Sequence, residues 1–113
     1  MAENYQVLNL EEGLPTAAQA IGRLLHTLES CRRGQVIKLI HGYGSSGTGG
    51  RIRIEVRRKL ERMQQSGRIS FFITGEKLSI FDADTRRALD LAPALRQDRD
   101  LERHNNGITI LVV

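Results

Sequence analysis

With 113 residues, 40% of them hydrophobic, the chain is long enough for one core and too short for a second domain of ordinary size. Seventeen Lys and Arg against thirteen Asp and Glu leave a formal charge of +4, which favours a polyanionic partner only if the positive residues are gathered in one place. A lone Cys31 excludes an intramolecular disulfide, three scattered histidines lack a structural-zinc spacing, and no apolar run approaches the roughly 20 residues of a membrane span, so a cytoplasmic protein without membrane contact is expected.

Tyr5 to Leu10 is a short apolar stretch that ends at Glu11, Glu12 and Gly13 and reads as a first strand and turn. Pro15 suits the first turn of a helix, and Ala17, Ile21, Leu24, Leu25 and Leu28 then share one face, with Gly34 as the stop and Cys31 as a packed thiol near the helix end. Val36, Ile37, Leu39 and Ile40 form the dense apolar run of a central strand covered on both faces. Next, Ile52, Val56, Leu60 and Met63 recur every three or four residues among Arg57, Arg58, Lys59 and Arg62, which predicts an amphipathic basic helix closed by Gly67. Arg51 to Val56 also alternate with period two, but a strand there would leave no room for a crossover between parallel strands. Ile69, Phe71, Phe72 and Ile73 give a third strand before Gly75.

From Glu76 to Asn106 the chain is densely charged. Asp82 or Asp84 caps a short helix through Leu91, Pro93 interrupts it, and the whole reads as a surface excursion in which Asp98 and Asp100 are solvated rather than metal-bound. Gly107 to Val113 closes the chain as a strand of high β propensity. The expectation is one α/β domain over residues 1–113: a two-layer sandwich of order βαβαβ(α)β with a four-stranded, mostly parallel mixed sheet and two main helices. The first three strands would pair in parallel and the last would join antiparallel.

Five of the eleven glycines fall in His41-Gly42-Tyr43-Gly44-Ser45-Ser46-Gly47-Thr48-Gly49-Gly50, between the central strand and the basic helix. Connections in such units usually take ~2–6 residues, so this one is long. Glycines let successive backbone N–H groups converge on one anion, and a helix N-terminus behind them adds partial positive charge. Ser45, Ser46 and Thr48 contribute hydroxyls, and Arg51 and Arg53 contribute guanidinium groups, so Gly42 through Gly49 with these arginines is the candidate phosphate cradle. His41 reads equally as a structural histidine and as a donor or acid–base group facing the cradle, and Tyr43 either stacks on a base or packs the loop down.

Two known phosphate motifs fit in letters only. Gly42-Tyr43-Gly44-Ser45-Ser46-Gly47 matches the dinucleotide fingerprint, yet Glu76 stands too far downstream for its acidic residue. Gly44 to Gly49 opens like a nucleotide P-loop, but Gly50-Arg51 replaces the Lys-Ser/Thr that must follow. Seven of the seventeen basic residues lie between Arg51 and Arg68, directly behind the turn, which points to nucleic acid.

A strand ending in Ile40-His41-Gly42-Tyr43-Gly44, followed by Gly47-Thr48-Gly49 and Arg51-Ile52-Arg53, resembles the Smr (small MutS-related) domain family, in particular its small stand-alone members. The resemblance implies a four-stranded sheet with two helices and the binding or endonucleolytic cleavage of DNA or RNA, with His41 as a catalytic candidate. Nuclease-active members typically carry Leu-Asp-Leu-His-Gly at the end of the first strand, where this chain has Leu8-Asn9-Leu10-Glu11-Glu12-Gly13. Glu11 is then either a substitute base or metal ligand, or a turn residue. A divalent metal stays open as a cofactor. The alternative to an endonuclease with an altered site is a non-catalytic adaptor that docks on ribosomes or a protein partner through its basic face.

Overall fold

Ile108–Val112 is apolar on both faces except at Thr109, and a strand of that kind can only sit inside a sheet with cover above and below. In the computed structural model, which describes residues 4–42 and 48–113, this strand, β4, lies between β2 (Val36–Ile40) and β3 (Phe71–Thr74), with β1 (Tyr5–Asn9) beyond β2. Every residue of β4 is buried, whereas only alternate residues of β3 are, so β3 takes the edge. β1 pairs with β2 in parallel, from Tyr5 opposite Val36 to Asn9 opposite Ile40, and β4 runs antiparallel to both β2 and β3. Three of the four strands therefore point the same way, as expected. The expected parallel pairing of all three does not occur, because β4 inserts between β2 and β3 and gives β3 an antiparallel neighbour.

Helices α1 (Ala17–Leu28) and α2 (Thr48–Gln65) cover one face. Ala20, Leu24 and Leu28 of α1 and Ile52, Val56, Leu60 and Met63 of α2 pack with Ile37, Leu39 and Leu111 of the sheet. The start of α1 is set by Thr16 rather than by Pro15: the Thr16 hydroxyl accepts from the Gln19 amide at 3.1 Å, and the Gln19 side chain accepts from the Thr16 amide at 2.9 Å. That reciprocal cap satisfies end groups a proline cannot, so Pro15 falls just before the helix.

The charged segment after β3 does more than lie on the surface. Leu78, Ala88, Leu89, Ala92 and Leu95 are buried against Val36, Phe71, Ile73, Ile110 and Val112, so α3 (Ala83–Leu91) and the 3-10 turns Gly75–Lys77 and Pro93–Gln97 roof the second face. Each buried leucine contributes roughly 1.5–3 kcal/mol. A sheet whose inner strands are apolar on both faces needs such a roof, and the expected two layers become three. Asp82, not Asp84, caps α3, its carboxylate accepting from the Thr85 amide at 2.9 Å. No helix among the described residues is long and apolar enough to cross a membrane.

A charged cluster sits inside this second layer. Lys38, in β2 and 6% exposed, meets Asp98 at 2.9 and 3.1 Å and Asp100 at 2.5 Å. The Tyr5 hydroxyl donates to Asp98 at 2.6 Å, the Asp100 amide donates to Asp98 at 2.8 Å, and Asn105 donates to Asp100 at 3.0 Å. Burial alone would raise the Asp98 carboxyl, but the bonds from Tyr5, the Asp100 amide and Lys38 together hold it below the usual range. Asp98 and Asp100 are thus buried counter-ions rather than solvated loop residues, because β2 aims Lys38 at them. Lys38→Met should destabilise the fold by about 3–5 kcal/mol, by leaving two buried carboxylates without their cation. Adding Asp98→Asn and Asp100→Asn should recover most of that loss in urea denaturation, and a triple variant no more stable than Lys38→Met would contradict this assignment.

Candidate functional site

β2 delivers the chain at Ile40 to His41 and Gly42, and the amides of both residues donate to the Gly107 carbonyl at 3.0 and 2.9 Å. Gly42 has φ +72°, and a side chain there would run into the Glu11 carboxylate. Only glycine fits. Glu11 reaches this point because the Asn9 side chain accepts from the Glu11 amide at 2.9 Å and the Leu10 amide donates to the Ile40 carbonyl at 2.8 Å, which turns the chain across the end of β2. Glu11 is therefore both a turn residue and a neighbour of the glycine-rich segment.

The His41 ring does not join it. Strand alternation sends His41 to the α2 face, while Glu11 lines a hollow of about 170 Å³ on the α3 face with Lys38, Ile40, Gly42, Asp100 and Asn105. His41 is fully buried. Its Nδ1 lies 2.9 Å from the Gly42 carbonyl oxygen and must be the donor there, so Nε2 accepts from the Thr109 hydroxyl at 2.8 Å. Burial, together with Arg57 and Arg53, pushes the ring down to about 4, against the opposing effect of the Gly42 bond. The sequence left structural and acid–base roles level for His41; in this position both ring nitrogens are engaged, and the ring fixes the exit of β2.

Thr109 accepts in turn from Arg57 Nε at 3.0 Å. The Arg57 guanidinium also donates to Glu76 at 3.1 and 2.9 Å, to the Ile108 carbonyl at 3.0 Å and to the Asn106 carbonyl at 3.3 Å. Burial would raise the Glu76 carboxyl, but the bonds from Arg57 hold it below the usual range. Gly75 lets the turn bearing Glu76 press against the Asn105 backbone, where any side chain would collide. Helical periodicity shows Arg57 only as part of a basic face and gives no sign of this chain of contacts. The available signal was Thr109, a hydroxyl inside an apolar strand that has to find partners.

Arg51 and Arg53 do not converge. Two residues apart on a helix, they project about 200° from each other. Arg51 borders a hollow of about 420 Å³ with Pro15, Thr16, Ala17 and Ala18, and Arg53 borders a groove of about 530 Å³ with Ile54, Arg57, Arg58, Glu61, Phe72, Thr74 and Glu76. Tyr43, Gly44, Ser45, Ser46 and Gly47 lie outside the described residues, and Thr48 and Gly49 are described only as the start of α2. Among the described residues no group of three or more His, Cys, Asp or Glu is arranged to hold a metal ion. Cys31 is half-buried, burial raises its thiol, and it donates to the Thr27 carbonyl at 3.2 Å.

Comparison with protein-family models, with curated proteins and with solved structures finds no match to this chain.

The neutral His41 has a consequence for stability. Unfolded, it takes up a proton near pH 6.5, but folded only near about 4, so the unfolded state binds more protons between those values and stability falls as the pH drops through that window. From this group alone the loss between pH 7.5 and pH 5 should be about 2 kcal/mol. His41→Gln should make the dependence over that range shallower. Urea denaturation at pH 7.5, 6 and 5 reads it directly, and a wild-type slope no steeper than that of the variant would exclude the neutral assignment.

Proposed function

We propose that this chain is a nucleic-acid-binding domain of the Smr type that grips backbone phosphate with the N-terminal half of α2 and the turn before it. The observation that carries the reading is the placement of α2: its basic side chains begin at Arg51, directly after the glycine-rich segment, and Arg51, Arg58 and Arg62 are exposed while Arg53 and Lys59 are half-exposed. Guanidinium groups at a helix start, behind backbone that turns at Gly42, suit the oxygens of a polyphosphate backbone. The His41-Gly42-Tyr43-Gly44 resemblance supports the same assignment. Because Arg51 and Arg53 open onto different hollows, they would contact different phosphates of one strand rather than clamp a single one.

Cleavage by this domain would have to proceed without the His41 ring as acid or base, since both of its nitrogens are occupied and it faces away from Glu11. The same occupancy favours the second reading, a non-catalytic adaptor that docks on ribosomes or a protein partner through the α2 face.

Titration of labelled structured RNA and DNA at several salt concentrations separates the two. Binding should weaken steeply with salt, and Arg51→Ala and Arg53→Ala should each reduce the log–log slope by about one. A salt-insensitive interaction, or none with either nucleic acid, would leave the adaptor. With magnesium present the substrates are expected to come back intact; products that vanish in Glu11→Gln would restore an endonuclease.

A further inference from the structure

The groove that receives Arg53 runs between α2 and the open edge strand β3, and its lining is unlike that of a plain charged surface. Phe72, half-buried on the α2 face of β3, forms an aromatic floor, and Ile54 stands 49% exposed beside it. Arg57 and Glu76 close one end as a fixed wall, because Arg57 is held through all three guanidinium nitrogens. Arg53 and Arg58 are placed differently. Arg58 meets only Glu55 among the described residues, at 3.4 Å and largely in solvent, a contact worth little, and Arg53 makes no ion pair among them.

The lining holds two carboxylates, Glu76 bound to Arg57 and Glu61, against the guanidinium groups of Arg53 and Arg58. An aromatic floor flanked by these two arginines, with a Thr74 hydroxyl, matches the chemistry of one nucleotide: a flat base to stack and a phosphate to neutralise. The volume of about 530 Å³ suits a single such group. The groove also has an end. Past Phe72 and Thr74 the next hollow, about 240 Å³, carries Asp82 and Asp84 beside Lys77, and paired carboxylates repel a following phosphate. A base inside a duplex keeps both faces stacked and cannot reach Phe72.

We propose that the groove between α2 and β3 takes a single unpaired nucleotide of a nucleic-acid strand, its base on Phe72 beside Ile54 and its phosphate between Arg53 and Arg58. This rests on the nucleic-acid reading above and adds to it a preference for single-stranded or looped sites. Phe72 becomes the residue that distinguishes an unpaired strand from a duplex, while Arg51, two turns before Arg58 and outside the groove, serves both.

The test is fluorescence anisotropy with a labelled single-stranded oligonucleotide and a duplex of the same length, on wild type, Phe72→Leu, Phe72→Tyr and Arg58→Gln, each checked for folding by thermal melting. Phe72→Leu should weaken single-strand binding roughly 5- to 150-fold and leave the duplex unaffected. Phe72→Tyr should retain the wild-type preference, and Arg58→Gln should lower the single-strand salt slope by about one. Should Phe72→Leu fail to fold, Ile54→Ser and Arg58→Gln carry the comparison from the exposed side of the groove. Single-strand binding that survives both Phe72→Leu and Arg58→Gln unchanged overturns the groove and leaves the broader function standing. Wild type that binds no nucleic acid overturns both. An acidic peptide that binds in an Arg58-dependent way where the oligonucleotide does not would assign the groove to a protein partner and overturn the nucleotide.

Discussion

The hydroxyl of Thr109 has no exposed surface and sits between Ile108 and Ile110 in a strand covered on both sides, so its hydrogen bonds must come from protein groups that reach in to it. An unpaired hydroxyl there would cost on the order of 1–3 kcal/mol. His41 and Arg57 supply the bonds, and the geometry of each follows from that demand. The hydroxyl donates to Nε2, which places the ring proton on Nδ1 and turns it to the Gly42 carbonyl. Arg57 donates through Nε, which leaves the two outer nitrogens to hold Glu76 and the backbone at the start of β4 and just before it. One hydroxyl thereby ties the exit of β2, the middle of α2 and the turn after β3 to a single point of the sheet.

β2 carries a second polar anchor on its other face. Residues 37, 39 and 41 look toward α1 and α2, and residues 36, 38 and 40 look toward α3, so Lys38 and His41 emerge on opposite sides within one strand. Each anchor draws in a loop that would otherwise have little to hold it: the Asp98–Asp100 turn on one side and the Glu76 turn on the other. The roof over the second face packs Leu78, Ala88, Leu89, Ala92 and Leu95 on the sheet, and the buried Lys38–Asp98–Asp100 cluster joins it from β2.

For function, the consequence is a division of labour among arginines that a count of charges hides. Arg57 is committed to structure, while Arg51 and Arg58, two turns apart on one aspect of α2, and Arg53, on another, remain at the surface.

Much of this was legible in the residue pattern. Helical spacing in Ala17 to Leu28 and in Ile52 to Met63, and continuous apolar runs at Val36 to Ile40 and Ile108 to Val112, reflect local preferences that hold wherever the segment packs. The Gly42 turn was readable for the same reason, since a positive φ is a local demand. Strand order was not, because β4 comes last in the chain yet belongs inside the sheet, and only competition among complete strands for burial puts it there. Nor was the partnership of Lys38 with Asp98 and Asp100, or of His41 with Thr109 and Arg57, whose members stand up to 68 residues apart. Residue type announces that a buried lysine or threonine needs a partner; the long-range pairing of strands chooses which one it meets. That choice also separated Glu11 from His41, two residues adjacent to the same turn that strand alternation sends to opposite faces.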